Sequence, residues 1–420
     1  MHTLLVKLSV VSTSAAHPYR ETALFSLLLW VFWSSVVAAE GFLVPYLRLN
    51  GYTSYQTGLV MSAVFLLSIP GQPLWGHVCD RIGRHRPVFL GSILVGGAVM
   101  LLVPVVIRSF PAVLAVVMVF SFTANSMPGN LDGWIMARRA QVPGIEYGVA
   151  RGMGSLGYAL FAVILGSVFD RWGLHLIFPV FAVFALASAL IAMVTPDSNG
   201  QGILPRREEK STPARASSLL RLVRDNQRYR VFVVSALILF AAFRATYTFL
   251  PVLIMDLGGG SRHIGLAHSV AAATEIPVMF LAGRVLRRVR ADRLILGSMI
   301  IFVLRMACYP LAQNPATIIA LQALHGLSFG LFLAASVYYI DEIAPAGSKS
   351  LFQTLAPSMY FGVGSVAGSA IGGAVVEAFG LASLYWGAPL VMLAAALLFR
   401  IYTVRVEVRE KLHRRSLPTA

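Results

Sequence analysis

Seven ionisable residues interrupt stretches of sequence that are otherwise almost wholly apolar, and their side chains are the ones best suited to chemistry. They are Glu40, Asp132, Arg151, Arg244, Glu275, Arg305 and His325. A carboxylate can hold or release a proton, a histidine can relay one near neutral pH, and a guanidinium binds hydroxyl pairs or carboxylates through two parallel donors. A charge at the centre of a lipid bilayer costs about 2.5–3.5 kcal/mol on insertion scales, so such residues indicate a partner or a water-filled site.

No residue pattern predicts an enzyme or a cofactor. The run 326–330, Gly-Leu-Ser-Phe-Gly, fits the G-x-S-x-G pattern of serine hydrolases, but that motif needs a strand-to-helix turn and this copy lies within an apolar segment. Cys79 and Cys308 lack the spacing of a metal site or a disulfide framework. We therefore expect no catalytic residue, no metal and no cofactor.

The elements that position these charges are predicted to be membrane helices. The chain is 57% hydrophobic and 12% charged, with a mean hydropathy of +0.74, whereas about 25% of the residues of soluble domains are charged. Twelve segments have the length of about 20 apolar residues that crossing a bilayer requires. Their predicted spans are 21–47, 54–79, 87–107, 110–136, 147–170, 173–195, 229–256, 263–286, 292–312, 315–343, 350–377 and 380–403. This pattern predicts an all-α, polytopic membrane protein in contact with the lipid bilayer.

The net charge of +16 lies mainly in the breaks between these segments. Alternate breaks are rich in arginine and lysine, whereas the others contain only Arg48, Arg108, Arg171 and Arg262. The positive-inside rule then puts both termini in the cytoplasm of an integral cytoplasmic-membrane protein, and it explains the basic charge without a nucleic-acid partner. The predicted divisions are a cytoplasmic tail at 1–20, a bundle at 21–195, a cytoplasmic linker at 196–228, a bundle at 229–403 and a basic cytoplasmic tail at 404–420.

The two halves repeat at a constant offset. Gly58-Leu59 recurs as Gly265-Leu266, and 265−58 gives 207. The same difference relates 69–70 to 276–277, 76 to 283, 157 to 364 and 173 to 380. Six helices in each copy make both halves enter the membrane in the same sense, which predicts two pseudo-symmetric bundles with a site between them near the bilayer midplane.

A short basic loop after the second segment carries a family resemblance. Gly76, Asp80, Arg81, Gly83 and Arg84 are spaced as G-x-x-x-D-R-x-G-R. This resembles the loop signature of the major facilitator superfamily, whose twelve helices and central linker also match the whole chain. The resemblance implies the major facilitator fold, a small-molecule substrate and transport by alternating access. Its loop residues are expected to stabilise one conformation rather than to touch the substrate.

Within that superfamily the chain most resembles the sugar and nucleoside proton symporters. Asp132, Arg151 and Tyr158 match that branch's sugar-binding segment, in which a carboxylate pairs with the arginine and an aromatic ring stacks on the sugar. Glu275, Arg305 and His325 match its proton-coupling network. The branch has a proton-carrying glutamate one turn after the histidine, and Ser328 stands at that position here.

The residues alone leave other roles open. Asp132 and Arg151 could form a structural ion pair between helices, and His325 could be a hydrogen-bonded core histidine. Glu40 and Arg244 lie in the first helix of each half, where they could line a cavity and bind substrate. None of the seven ionisable residues within the apolar segments has a charged counterpart 207 positions away. This asymmetry favours a site with a substrate side and a coupling side.

The pattern predicts a monomeric secondary active transporter that imports a sugar or nucleoside together with protons. One alternative is a proton-coupled exporter of drugs or metabolites, which usually has a proline in its fifth helix, whereas the segment 147–170 has none. Another is an importer of aromatic acids, since an arginine binds carboxylates as readily as hydroxyl pairs. A third is a membrane sensor without transport.

Overall fold

The computed structural model describes residues 18–198, 224–345 and 348–416, and these residues form helices with no strand among them. They contain eleven apolar helical runs long enough to cross a membrane. The last run, Leu351–Val406, is two helices that meet at Gly380, where φ is 82° and ψ is 165°. The described residues therefore contain the twelve predicted helices, and the all-α membrane fold is confirmed. Most of the predicted tails and linker (1–17, 199–223 and 417–420) lies outside them.

We number the membrane helices in chain order. They are α1 (Pro18–Leu49), α2 (Ser54–Ile82), α3 (Arg86–Val106), α4 (Phe110–Gln141), α5 (Tyr147–Trp172), α6 (Leu174–Val194), α7 (Gln227–Asp256), α8 (Ser261–Leu286), α9 (Ala291–Leu311), α10 (Pro315–Ile343), α11 (351–379) and α12 (381–416).

Local sequence signals define several helix ends. Thr53 and Gln56 form a reciprocal capping box at the start of α2, and Asn226 and Asn314 cap α7 and α10 through their side-chain oxygens. The equivalent glycines Gly173 and Gly380 both have positive φ, of 97° and 82°. Each turns the chain from the fifth helix of its half into the sixth, which explains why the repeat retains a glycine at this position.

The helices form two bundles of six. In the first half α1 packs along α5 and α6, and in the second half α7 packs along α11 and α12. We call the side of the molecule where α6 ends and α7 begins the linker face. The opposite side, where short turns join α1 to α2 and α7 to α8, is the short-loop face.

The bundles meet at the short-loop face through repeat-related glycines, where α2 packs along α11 and α5 along α8. A Cβ atom added to Gly166 would lie 2.7 Å from the Ser261 carbonyl oxygen and 3.1 Å from the Cα of Gly265. A Cβ atom added to Gly373 would lie 2.7 Å from the equivalent Ser54 carbonyl oxygen. Only glycine permits two helix backbones to approach this closely.

One carboxylate completes each crossing. Glu377, near the end of α11, accepts hydrogen bonds from the backbone N–H groups of Ser54 (2.8 Å) and Tyr55 (3.4 Å), at the start of α2. Asp170, near the end of α5, accepts one from Arg262 N (3.5 Å), at the start of α8. The two carboxylates differ by 377−170, which is again 207. We call the four glycines at positions 58, 166, 265 and 373, with these two carboxylates, the short-loop seal.

Three helices depart from regular α geometry near the middle of the membrane. α4 contains a 3₁₀ turn at Ala124–Ser126, and α10 and α11 contain π-helical segments at Gly326–Gly330 and Ser358–Val363. The first π segment includes the G-x-S-x-G run, so its serine lies in a helix and not in a catalytic turn. Such segments often occur at functional sites, because they shift side chains out of the regular helical register.

Candidate substrate site

A cavity of about 750 Å³ lies between the two bundles. It ends below the short-loop seal and extends towards the linker face, where Gln72, Pro128 and Thr354 line it. Its wall combines polar and apolar side chains, and the aromatic ones are Trp33, Phe65, Tyr158, Phe240, Phe243, Tyr247, Phe329 and Phe361. A cavity of this size holds a small organic molecule, and the polar groups among the aromatic rings would determine which one binds.

On the first-bundle side the main polar group is Arg151. Its guanidinium carbon lies 4.6 Å from the centre of the Trp33 ring, and its Nη1 is 3.5 Å from Ser155 Oγ one turn along α5. Asp132 lies behind this wall rather than on it, where it interacts electrostatically with Arg151 and Tyr147. The stacked tryptophan holds the guanidinium at the cavity surface, where its remaining donors can meet a solute.

The middle of the site contains Glu40 from α1 and Arg244 from α7. The two side chains interact electrostatically across the cavity, and the guanidinium carbon of Arg244 lies 3.9 Å from the centre of the Phe65 ring. Beside them, Tyr158 faces Tyr247 of the opposite bundle, and both side chains line the cavity. Groups from both bundles therefore meet at this level.

The second-bundle side contains a chain of three ionisable residues. His325 Nε2 lies 3.0 Å from Glu275 Oε1, and His325 Nδ1 lies 2.7 Å from Arg305 Nη1. Because a guanidinium has donors and no acceptor, Nδ1 must accept from Arg305. The imidazole proton is then on Nε2 and is donated to the Glu275 carboxylate. The histidine is neutral in this arrangement.

Arg305 is fully buried and makes further hydrogen bonds within its own bundle. Its Nε and Nη2 donate to Tyr309 Oη (3.2 and 3.0 Å), and Nη2 also donates to Gln322 Oε1. Its Nη1 donates to Ser328 Oγ at 3.3 Å, so Ser328 is part of the network in place of the glutamate that the resemblance led us to expect. A buried arginine with this many partners holds His325 in one orientation.

The structure brings six of the eight predicted substrate and coupling residues to the cavity wall. These are Glu40, Arg151, Tyr158, Arg244, Glu275 and His325. Asp132 and Arg305 lie one layer behind and contact the cavity through Arg151 and His325.

The predicted loop motif is far from this site, on the linker face. Gly83 has a φ of 72° and ends α2, with its N–H bonded to Cys79 O (2.8 Å). Asp80, Arg81 and Arg84 are exposed, and a Cβ atom added to Gly76 would meet nothing within 4 Å. In this conformation the motif is free of the neighbouring bundle at all three charged positions.

Sequence reasoning missed many of the polar residues that line the cavity or support its wall, and four of them lie near the predicted charges. Trp33, Tyr247 and His268 line the cavity, and Gln322 bonds Arg305 behind it. Two of them had a usable signal, since Gln322 precedes His325 by about one turn and Tyr247 is the repeat equivalent of Glu40 (40 + 207). No sequence pattern marks Trp33 or His268 as a site residue, because each is an isolated residue within an apolar helix. No cluster of three or more metal-ligating side chains occurs in the part of the chain that the structure describes.

Two six-helix bundles with a polar cavity between them define the architecture of a membrane transporter. Residues 23–386 match the model of the MFS_1 like family, so the chain belongs to that family of the major facilitator superfamily, and the resemblance is confirmed.

Known proteins agree with this assignment. The maltose permease of Geobacillus stearothermophilus is 26% identical over 333 residues, which cover 78% of this chain and 80% of that protein. Multidrug resistance protein MdtG of Erwinia billingiae (strain Eb661) is 25% identical over 398 residues, 90% of each chain. The crystal structure of nucleoside transporter NupG has the same fold, with a TM-score of 0.80 and 16% identity over 91% of this chain and 98% of that one. The protein is therefore a membrane transporter of a small molecule and not an enzyme.

Proposed function

We propose that this protein is a secondary active transporter that moves an uncharged, hydroxyl-rich solute, a sugar or a nucleoside, across the cytoplasmic membrane by alternating access. The observation that supports this most directly is the balance of charge on the cavity wall. Two carboxylates, Glu40 and Glu275, face two guanidiniums, Arg151 and Arg244. A charged solute would leave one of these groups, or itself, unpaired in a site of low dielectric, which is costly. Hydroxyl groups both donate and accept, so they satisfy carboxylates and guanidiniums alike.

The aromatic wall supports the same class of solute. Sugar rings and nucleobases have apolar faces that pack on aromatic side chains, and Tyr158 and Trp33 offer such faces beside polar groups. The names of the maltose permease and of the nucleoside transporter NupG are consistent with these two solute classes.

We further propose that the two bundles, 21–195 and 229–403, rock against each other about the cavity. The linker at 196–228 and both tails, 1–20 and 404–420, would be cytoplasmic, because the basic residues are concentrated in the breaks on that side. The short-loop face would then be extracellular, and the cavity would extend towards the cytoplasm in the conformation described here.

Proton coupling is proposed to occur at Glu275. His325 cannot accept a second proton while Arg305 occupies its Nδ1, so a proton that enters this network binds the carboxylate. Protonated Glu275 no longer attracts the histidine as an anion, which would loosen α8 from α10 at the cavity wall. Transport in this scheme moves one proton with each solute, and Ser328 serves as a hydrogen-bond partner of Arg305 rather than as a second proton carrier.

The experiment that tests this is uptake of radiolabelled maltose or uridine by proteoliposomes under an imposed pH gradient. Glu275→Gln should retain exchange of solute between the two sides but lose accumulation, because the proton-binding group is gone. Arg151→Ala should raise the half-saturation concentration at least about tenfold, the equivalent of one lost charge-assisted hydrogen bond. Exposed Glu342→Gln and Arg108→Ala are the matched controls and should behave as wild type. Accumulation by Glu275→Gln at the wild-type level would contradict the coupling assignment.

One second function is favoured by a specific observation. The similarity to MdtG extends over 90% of this chain, and eight aromatic side chains line the cavity, where they could bind apolar compounds for export. The same vesicles distinguish the two functions. An exporter would move an apolar dye in exchange for protons, in the direction opposite to proton flow, and would not transport maltose or uridine.

A further inference from the structure

His268 lies at the end of the cavity nearest the short-loop face, and the proposed function does not use it. The residue is 3% exposed and lines the cavity. It precedes Glu275 by seven residues (275−268), which is two helical turns, so both side chains project from the same face of α8. Gly265, one turn earlier, belongs to the short-loop seal. His268 therefore lies between the polar site and the seal.

Its two ring nitrogens have different surroundings. Nδ1 lies 2.8 Å from Tyr247 Oη. Nε2 is buried and makes no well-aligned hydrogen bond with any of the described residues, and the backbone of Gly41 on α1 is its polar neighbour. Helix α1 of the opposite bundle covers it, because a Cβ atom added to Gly41 would lie 3.7 Å from this nitrogen. One nitrogen is thus held in place by its own bundle, while the other is hidden by the partner bundle.

Arg244 shows the same arrangement on the neighbouring helix α7. Its Nε is buried without a hydrogen-bond partner, and the guanidinium lies on the ring of Phe65, which belongs to α2 of the opposite bundle. A buried donor without a partner costs free energy, so such groups usually have a partner in another state of the protein. Here two of them are covered at the surface along which the bundles must separate.

We propose that His268 Nε2 and Arg244 Nε are substrate contacts of the conformation that is open at the short-loop face. Separation of the bundles there uncovers both nitrogens on the wall of the same cavity. Arg244 Nε can only donate, so it binds an oxygen of the solute. His268 Nε2 donates when Tyr247 donates to Nδ1, and accepts when Nδ1 carries the proton, so it suits a hydroxyl group. This inference rests on the proposed function, since it requires alternating access and a neutral, oxygen-rich solute.

A pair of substitutions separates recognition from a structural role. The amide of asparagine reaches about as far as Nδ1 of histidine, and the amide of glutamine reaches about as far as Nε2. His268→Gln should therefore retain the contact with solute, with a half-saturation concentration for maltose or uridine uptake within about threefold of wild type. His268→Asn should retain the bond to Tyr247 but raise that concentration about tenfold. Exposed His175, substituted in the same two ways, is the control.

A higher half-saturation concentration for His268→Gln than for His268→Asn would overturn the inference. If His268 serves only to hold Tyr247, the asparagine variant transports normally and the glutamine variant is impaired. Equal half-saturation concentrations in the two variants would overturn it as well, because the two nitrogens would then not differ in role.

A second measurement does not depend on the solute. In a background with Cys79→Ser and Cys308→Ser, His268→Cys places a thiol at the covered position. A membrane-impermeant methanethiosulfonate added at the short-loop face should label this thiol, and addition of Glu377→Ala, which weakens the seal, should raise the labelling rate about fivefold. Failure to label in both backgrounds would overturn the inference even if uptake is observed. Labelling without uptake of maltose or uridine would instead refute the proposed solute class and leave the exposure of this position established.

Discussion

The short-loop seal predicts that loss of one carboxylate shifts the protein towards the conformation open at that face. Glu377 accepts two backbone N–H groups at the start of α2, at 2.8 and 3.4 Å. A hydrogen bond to a charged group contributes about 1.5–3 kcal/mol. The Glu377 side chain is exposed, so solvent screening puts its contribution at the lower end of that range. We expect Glu377→Ala to change the equilibrium between the two conformations by about 1.5 kcal/mol, or about tenfold.

Glu377→Gln and Asp170→Ala should shift the conformational equilibrium less than Glu377→Ala does. Glu377→Gln retains an acceptor and loses only the attraction between a negative charge and a helix N-terminus, about 0.3–1 kcal/mol or roughly two- to fivefold. Asp170 accepts one longer bond, of 3.5 Å, so Asp170→Ala should have a smaller effect of about threefold. The two sites are on different helix pairs, so the double alanine variant should show about the product of the single effects, roughly thirtyfold.

The assay is a distance measurement across the short-loop face. Spin labels are attached to cysteines at Leu49 and Leu311, which are exposed and lie on opposite bundles, in a background without the native cysteines. Pulsed electron–electron double resonance then gives the fraction of molecules with the longer separation. Asp256→Asn, an exposed carboxylate at the same face, is the control. An unchanged distance distribution in the double variant would refute the assignment of these residues as a seal.

Two further predictions concern stability. Arg305→Lys should lower the free energy of unfolding by about 1–3 kcal/mol, because one ammonium cannot reach all the buried acceptors that this guanidinium satisfies. A thermal melt compares it with exposed Arg293→Lys, and equal melting temperatures would contradict the network. Burial lowers the pKa of His85, outside the membrane spans, against the opposing charges of Asp197 and Asp80. Below pH 6.5 the unfolded chain therefore binds a proton that the native histidine resists, and stability falls as pH falls. His85→Asn should show a shallower loss of melting temperature between pH 7.5 and 5.5, and an identical slope would count against this origin.

The sequence was sufficient for the helices and for the symmetry, because both depend on patterns that repeat along the chain. Apolar length predicted the first eleven membrane helices to within about five residues, whereas α12 continues to residue 416, past its predicted end at 403. The 207-residue offset paired Gly173 with Gly380, and both turn the chain in the same way. The glycine at position 83 was recognisable as part of a motif, and its positive φ gives the physical reason for it.

The contacts of individual charges were not predictable, because they depend on irregular backbone. Helix α10 changes from 3₁₀ at Gln322–Leu324 to π geometry at Gly326–Gly330, so a regular helical wheel misplaces the partners of Arg305. Asp132 was expected to pair with Arg151, and in the structure it interacts electrostatically with Arg151 and also with Tyr147, a neighbour that spacing alone does not reveal. The seal carboxylates shared the repeat offset, but charges at helix ends near the membrane surface are too common to attract notice.

In the short-loop seal each bundle supplies a carboxylate to a helix of the other, and this reciprocity constrains how the two bundles can separate. Glu377 of the second bundle holds a helix of the first, and Asp170 of the first holds a helix of the second, so the two attachments lie on either side of the pseudo-symmetry axis. Release of one attachment leaves the other as a pivot, and the bundles then tilt instead of moving apart evenly. A passage wide enough for a solute requires both attachments to open in the same event. Two weak contacts related by the pseudo-symmetry would thus make opening of the short-loop face an all-or-none transition. Few molecules would then be half open, a state through which ions could leak.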